Sequence, residues 1–150
     1  MELGEKISQD YITAYKAKDS IRLGVLRLLK TAITNRLVEL KQPGGKLPDE
    51  QIMDLIMKQA KQRKDSIEQY QKAGRTDLAD RESAELAILE EYLPSQLAPE
   101  ELAAAIQAAI SQTGASGPQD MGKVMGLIME QYKGRVDGKQ ASALARKLLA

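Results

Sequence analysis

Apolar residues recur at helical spacing along nearly the whole chain, and nowhere do they alternate over a useful length as in a strand. Leu3, Ile7, Tyr11 and Ala14 mark one face of a first helix. Lys18-Asp19-Ser20 then supplies a break, with Asp19 as N-cap of a second helix. Between Ile21 and Leu40 the apolar positions cover about half the helical wheel, too wide for a surface stripe, and predict a central helix packed on both sides. Two Gly and two Pro in Lys41–Pro48 predict a loop. Asp49 is the expected cap of a third helix, whose apolar face (Met53, Ile56, Met57, Ala60, Ile67, Tyr70) is interrupted by Arg63 and Lys64. Gly74 suits a left-handed C-terminal position, Thr76 or Asp77 opens helix four, and Leu78, Leu86, Leu89 and Leu93 carry it to Pro94, giving an antiparallel hairpin.

Beyond Pro94 the pattern shortens. A linker is expected near Ser95 to Ala98, followed by an Ala-rich helix five with Pro99 in its first turn. After the loop Gly114–Pro118, Asp120 is the expected cap of helix six, with Met121, Val124, Met125, Ile128, Met129 and Tyr132 on one arc. Gly122 and Gly126 at its border suggest a close approach of another helix. Lys133-Gly134-Arg135 makes the next turn, Asp137 caps helix seven, and Ala141, Leu144, Ala145 and Leu148 close the core. The prediction is an all-α chain: a four-helix N-terminal domain with a long helical hairpin (1–94) and a compact three-helix bundle (95–150).

Composition narrows the chemistry. The 150 residues contain no Cys and no His, which removes disulfides, thiolate or imidazole metal sites, Cys nucleophiles and His general bases. With aromatics at 3%, the core must come from aliphatic residues and Met, as in helices packed on helices. The net charge of +1 means that any nucleic-acid site must be local. Charges in Met1–Lys6 leave no room for the apolar run of a signal peptide, and no stretch approaches the ~18 apolar residues of a membrane span, so a cytoplasmic protein with no membrane partner is expected.

Asp120-Met121-Gly122-Lys123-Val124-Met125-Gly126 followed by Lys133-Gly134-Arg135-Val136-Asp137-Gly138 resembles the signature of the YqeY-like family. That family shares it with the tail domain of the B subunit of the tRNA-dependent Asp/Glu amidotransferase. The resemblance extends upstream through Lys61–Ser66, Gly74–Leu78 and Leu89–Leu97. It implies a noncatalytic adaptor that contacts tRNA, a tRNA-handling protein or an aminoacylation complex, since the amidase subunit and the large body of the B subunit are not part of this sequence. Two alternatives accompany it: a protein-interaction adaptor without RNA contact, and an accessory to glutamine-dependent carbon–nitrogen ligation on misacylated tRNA. No cofactor, metal site or DNA partner is predicted.

RNA binding needs cations set against phosphates. The tail candidates are Lys123, Lys133, Arg135, Lys139, Arg146 and Lys147. Arg63 and Lys64, with Arg27 and Lys30 in a second local excess of positive charge, are candidates for a partner surface, and Arg63 and Lys64 equally for an inter-helix ion pair. Arg22 and Arg36 fall on the apolar arc of helix two and should pair with acids or snorkel. Met121, Met125, Gly122, Gly126, Gly134, Asp137 and Gly138 read as skeleton: core, helix crossing and turn geometry. No catalytic residue is assigned, because Ser66 beside Lys61–Lys64 has nothing to orient it.

Overall fold

The computed structural model describes all 150 residues, and the protein is all-α. Its contacts divide the chain into two compact units, Met1–Leu93 and Pro94–Ala150. The first holds α1 (Leu3–Ala17), α2 (Ser20–Glu39), α3 (Asp49–Lys72) and α4 (Thr76–Glu90); the second holds α5 (Pro99–Thr113), a 3₁₀ turn (Pro118–Asp120), α6 (Met121–Gln131) and α7 (Gly138–Leu149).

In the first unit the core gathers Ile7 and Ala14 of α1, Val25, Leu26 and Leu29 of α2, Ile52, Ile56 and Ala60 of α3, and Ile88 and Leu89 of α4. These are aliphatic side chains at i, i+3, i+4 and i+7 spacings, so one stripe per helix meets the others. Truncating one of the fully buried members, such as Leu89, costs about 2–5 kcal/mol. α3 and α4 pack along each other as a hairpin. Its turn is a Schellman motif: Gly74 takes φ 72°, Arg75 N donates to Tyr70 O at 2.8 Å, and Gly74 N donates to Gln71 O at 3.1 Å.

Asp19 caps α2, accepting from Arg22 N at 3.1 Å. Asp49 does not cap α3. It is the first helical residue, and its Oδ1 accepts from Leu3 N at 3.0 Å, satisfying an orphan donor at the start of α1. The reading of α2 as packed on both sides also fails. It touches α1, α3 and α4, yet Ile21, Leu28 and Val38 stay 43%, 56% and 58% exposed. Those three lie outside the arc of the helical wheel that holds the buried Val25, Leu26, Leu29 and Leu37. α4 ends at Glu90, short of Leu93.

In the second unit Leu102, Ala105, Ile106 and Ala109 of α5 pack with Val124 and Ile128 of α6 and Ala141, Ala145 and Leu149 of α7. Pro99 stands at the first position of α5, where its missing N–H is no loss. Glu101 Oε1 accepts from Ala98 N at 3.0 Å. Asp137 caps α7, accepting from Lys139 N at 3.1 Å. Asp120 stands before α6 but makes no cap bond to it; its carboxylate accepts from Ser116 N at 3.0 Å and closes the preceding loop.

Candidate functional site

The expected linker at Ser95–Ala98 is strapped down rather than free. Leu97 N donates to Arg135 O at 2.9 Å, Gln96 Nε2 to Gly134 O at 2.7 Å, and Arg135 Nε to Ser95 O at 2.9 Å. Gly134 makes this possible, since it is buried and sits at φ 78°, a conformation a side chain would strain. Arg135, predicted to face a phosphate, therefore spends one donor on the fold of its own unit.

The remaining tail cations distribute unevenly. Lys123 is exposed and stands 4.0 Å from Asp120, at the edge of an ion pair. Lys133 and Lys139 both have partners within the protein. Arg146 and Lys147 are exposed on the last turn of α7. At 100° per residue, Lys139 and Arg146 stack two turns apart on one side of α7, and Lys147 lies beside them. α7 carries no Asp or Glu, while its opposite face is the buried stripe Ala141, Ala145 and Leu149. The result is a short cationic ridge on a helix anchored by its other face. Cations in a last turn are also favoured by the helix dipole, so part of this arrangement stabilises α7 without any ligand.

The Met–Gly motif is placed differently from its sequence reading. A Cβ added at Gly122 or Gly126 would meet nothing within 4 Å, and both are exposed, so no helix crosses there. The core side of α6 is Val124 and Ile128, with Met121, Met125 and Met129 half-buried around them. Gly138 is the first residue of α7 without a positive φ, so Gly134 alone of that pair serves turn geometry.

Arg63, singled out as a break in the apolar stripe of α3, is only 12% exposed at its side chain. It donates to Glu82 Oε2 at 3.2 Å and also to Glu85, binding α3 to α4. That commitment removes it from any open partner surface, and Lys64 beside it has a partner too. Arg63 Nε and Gln59 Oε1, on residues one turn apart, are both buried without a protein hydrogen-bond partner. Arg22 reaches Glu91 through both terminal nitrogens, at 2.6 and 3.1 Å. The hydrogen bond raises the Arg22 pKa and lowers that of Glu91. Arg36 pairs with Glu39 at 3.0 Å. Arg27 and Lys30 remain open to solvent or ligand, with Lys30 Nζ 4.5 Å from the centre of the Tyr11 ring.

Sequence reasoning missed Tyr92, which is buried where α4 has ended, its ring 5.3 Å from Lys6 Nζ. No local pattern marks it, because its partners lie on α1. No group of three or more acidic, His or Cys side chains is placed to hold a metal ion, and no helix is long and apolar enough to cross a membrane.

A family model described as Yqey-like protein matches residues 4–149. Three curated relatives carry the name "Altered inheritance of mitochondria protein 41, mitochondrial". That of Lachancea thermotolerans is 38% identical over 87 residues, 58% of this chain and 46% of the relative. That of Pyrenophora tritici-repentis is 29% identical over 141 residues, 91% of this chain and 75% of the relative. That of Kluyveromyces lactis is 35% identical over 86 residues, 57% of this chain and 45% of the relative. The chain thus spans about half the length of the first and third. These names point to mitochondria and overturn the expectation of a cytoplasmic protein. Its physical basis was too narrow: lacking an apolar signal or span does not separate the cytosol from an organelle entered by an amphipathic transit peptide that is later removed.

Proposed function

Because the chain belongs to the YqeY-like protein family, we propose that it is a noncatalytic adaptor whose second unit engages tRNA through the cationic ridge of α7. The observation that carries this reading is the pairing of Arg146 and Lys147 with Lys139 on a helix that has no acidic residue. A folded RNA presents phosphates and 2′-hydroxyls along its grooves, and a rigid row of cations is complementary to that surface without reading bases. Exposed Gly122 and Gly126 add bare backbone on α6, where a nucleic-acid backbone meets no side chain in its way. Lys123 lies next to them.

The test is titration of the full-length protein with deacylated tRNA at several salt concentrations. Binding should weaken steeply as salt rises, by roughly one logarithmic unit per logarithmic unit of salt for each phosphate neutralised. The triple reversal K139E/R146E/K147E should abolish binding while leaving the helical content near that of the parent, with a modest fall in the thermal midpoint because Glu in the last turn opposes the helix dipole. Absence of binding at low salt, or binding unchanged by the reversal, overturns the reading.

A further inference from the structure

Two hollows in the first unit meet at Lys30 and Thr34 of α2. One, of about 500 Å³, lies between α1, α2 and the loop before α3, over the aliphatic floor of Ile33, Leu37, Leu47 and Ile52. The other, of about 270 Å³, is lined by Tyr11, Arg27, Lys30, Thr31, Thr34 and Asn35 and includes no carboxylate. Along α2 these positions follow one another around the wheel: Ile33 and Leu37 toward the core, Lys30 and Thr34 in the middle, Arg27, Thr31 and Asn35 outermost. The cleft therefore grades from apolar to cationic across a single helix.

Its cations are not consumed by the fold. Arg22, Arg36 and Arg63 each have carboxylate partners, whereas Arg27 has none in its hollow and Lys30 contacts only the face of Tyr11. The ring holds the half-buried Lys30 in place while leaving its N–H donors available. Glu2 and Glu5, which also line the larger hollow, share Lys46 at 3.9 and 3.7 Å, so one of their two negative charges is offset there.

We propose that this cleft binds a small phosphate monoester with an apolar body, the phosphate on Arg27 and Lys30 and the body over Ile33 and Leu37. A guanidinium and an ammonium one turn apart, with the Thr31 hydroxyl and the Asn35 amide beside them, match the charge and the acceptor oxygens of a dianionic phosphate, while the Thr34 hydroxyl donates to Lys30 O at 3.0 Å. The larger hollow falls in the size range of small-molecule sites and supplies the apolar contact that free phosphate lacks. The ester is either a soluble metabolite or a lipid headgroup, and the chemistry of recognition is the same for both. This site is independent of the ridge on α7.

The experiment is a titration of the ¹⁵N-labelled full-length protein, followed by amide shifts, with 1-naphthyl phosphate, 1-naphthol and inorganic phosphate as separate probes. Naphthyl phosphate should shift amides of α1 near Tyr11 and of α2 from Arg27 to Leu37, and should bind at least about tenfold more tightly than naphthol or phosphate. Arg27→Gln and Lys30→Met, which keep much of each side chain's bulk, should each weaken it by roughly tenfold with an unchanged thermal midpoint. Phosphatidylcholine vesicles with and without phosphatidic acid separate the sources. Lys30-dependent binding to the acidic vesicles assigns the ester to a membrane surface, and binding of naphthyl phosphate alone assigns it to a soluble molecule. Naphthol binding as tightly as its phosphate, shifts confined to other helices, or tRNA shifting these amides where naphthyl phosphate does not, would each overturn the proposal.

Discussion

The Tyr92 hydroxyl donates to Asp10 Oδ2 at 2.5 Å, joining α1 to the segment just past α4 across 82 positions of sequence. Burial, and then the bond to Asp10, raises the phenol's pKa above the ordinary tyrosine value. A raised folded-state value means that this contribution is complete below the unfolded value of about 10 and is lost as pH climbs through the folded one. Ultraviolet titration should therefore show the Tyr92 phenol ionising above the ordinary tyrosine range, together with the unfolding of the first unit. Tyr92→Phe should cost about 1–2 kcal/mol in denaturant melts at pH 7.

The Arg22–Glu91 pair gives an acid-side counterpart. Its hydrogen bond to Arg22 depresses Glu91 below the ordinary 4.5, so the pair's contribution is present above that value and disappears as pH falls through the depressed one. Glu91 is half exposed, which limits the pair to about 0.5–1 kcal/mol. Glu91→Gln should be destabilised by that amount at pH 7, and the gap should close as pH falls through the depressed Glu91 value and its carboxylate takes up a proton. A gap that stays unchanged as pH falls would show that packing, not charge, is responsible.

Arg63 is the most consequential charge in the hairpin. Its removal as Arg63→Ala leaves Glu82 and Glu85 facing each other with 24% and 17% of their side chains exposed. A loss of about 2–4 kcal/mol is expected. Adding Glu85→Gln to that variant should recover part of the loss, and a double-mutant cycle measures how much.

The glycines of the tail should respond in opposite directions. Gly126→Ala, in mid-helix with open space around it, should raise stability by about 0.5–1 kcal/mol. Gly134→Ala, held at φ 78° in a buried turn, should lower it by about 1–2 kcal/mol. Calorimetric melting of the two variants checks the contrast. If Gly126→Ala also weakens tRNA binding while stabilising the fold, the bare backbone of α6 is part of the RNA surface.

These glycines show where sequence periodicity runs out. Gly134 and Gly74 announce left-handed turns through local conformational freedom, and Asp19 and Asp137 announce caps because the amides they accept from lie two or three residues away. Asp49 and Asp120 carry the same local signal, yet their carboxylates are claimed by Leu3 N and Ser116 N. For Asp49 the claimant is 46 residues distant, and no local rule ranks it against the helix end. Arg63 was conspicuous as a charge in an apolar stripe, whereas the identity of its acids depended on the hairpin's alignment. Gly122 and Gly126 repeat at a spacing that suits a helix crossing, but which flank of α6 meets α5 and α7 is decided by Val124 and Ile128. The α7 ridge was visible as a composition bias; the separation of Arg135 from it was not, because its partner Ser95 lies 40 residues earlier.

The strap formed by Ser95, Gln96 and Leu97 defines where the second unit can be cut from its surroundings. A graft beginning at Pro99 would include every helix but would strand the Gly134 and Arg135 carbonyls and the Arg135 guanidinium without their partners. The transferable module is therefore longer than its helices: it has to start at Ser95 to keep the strap that closes its turn.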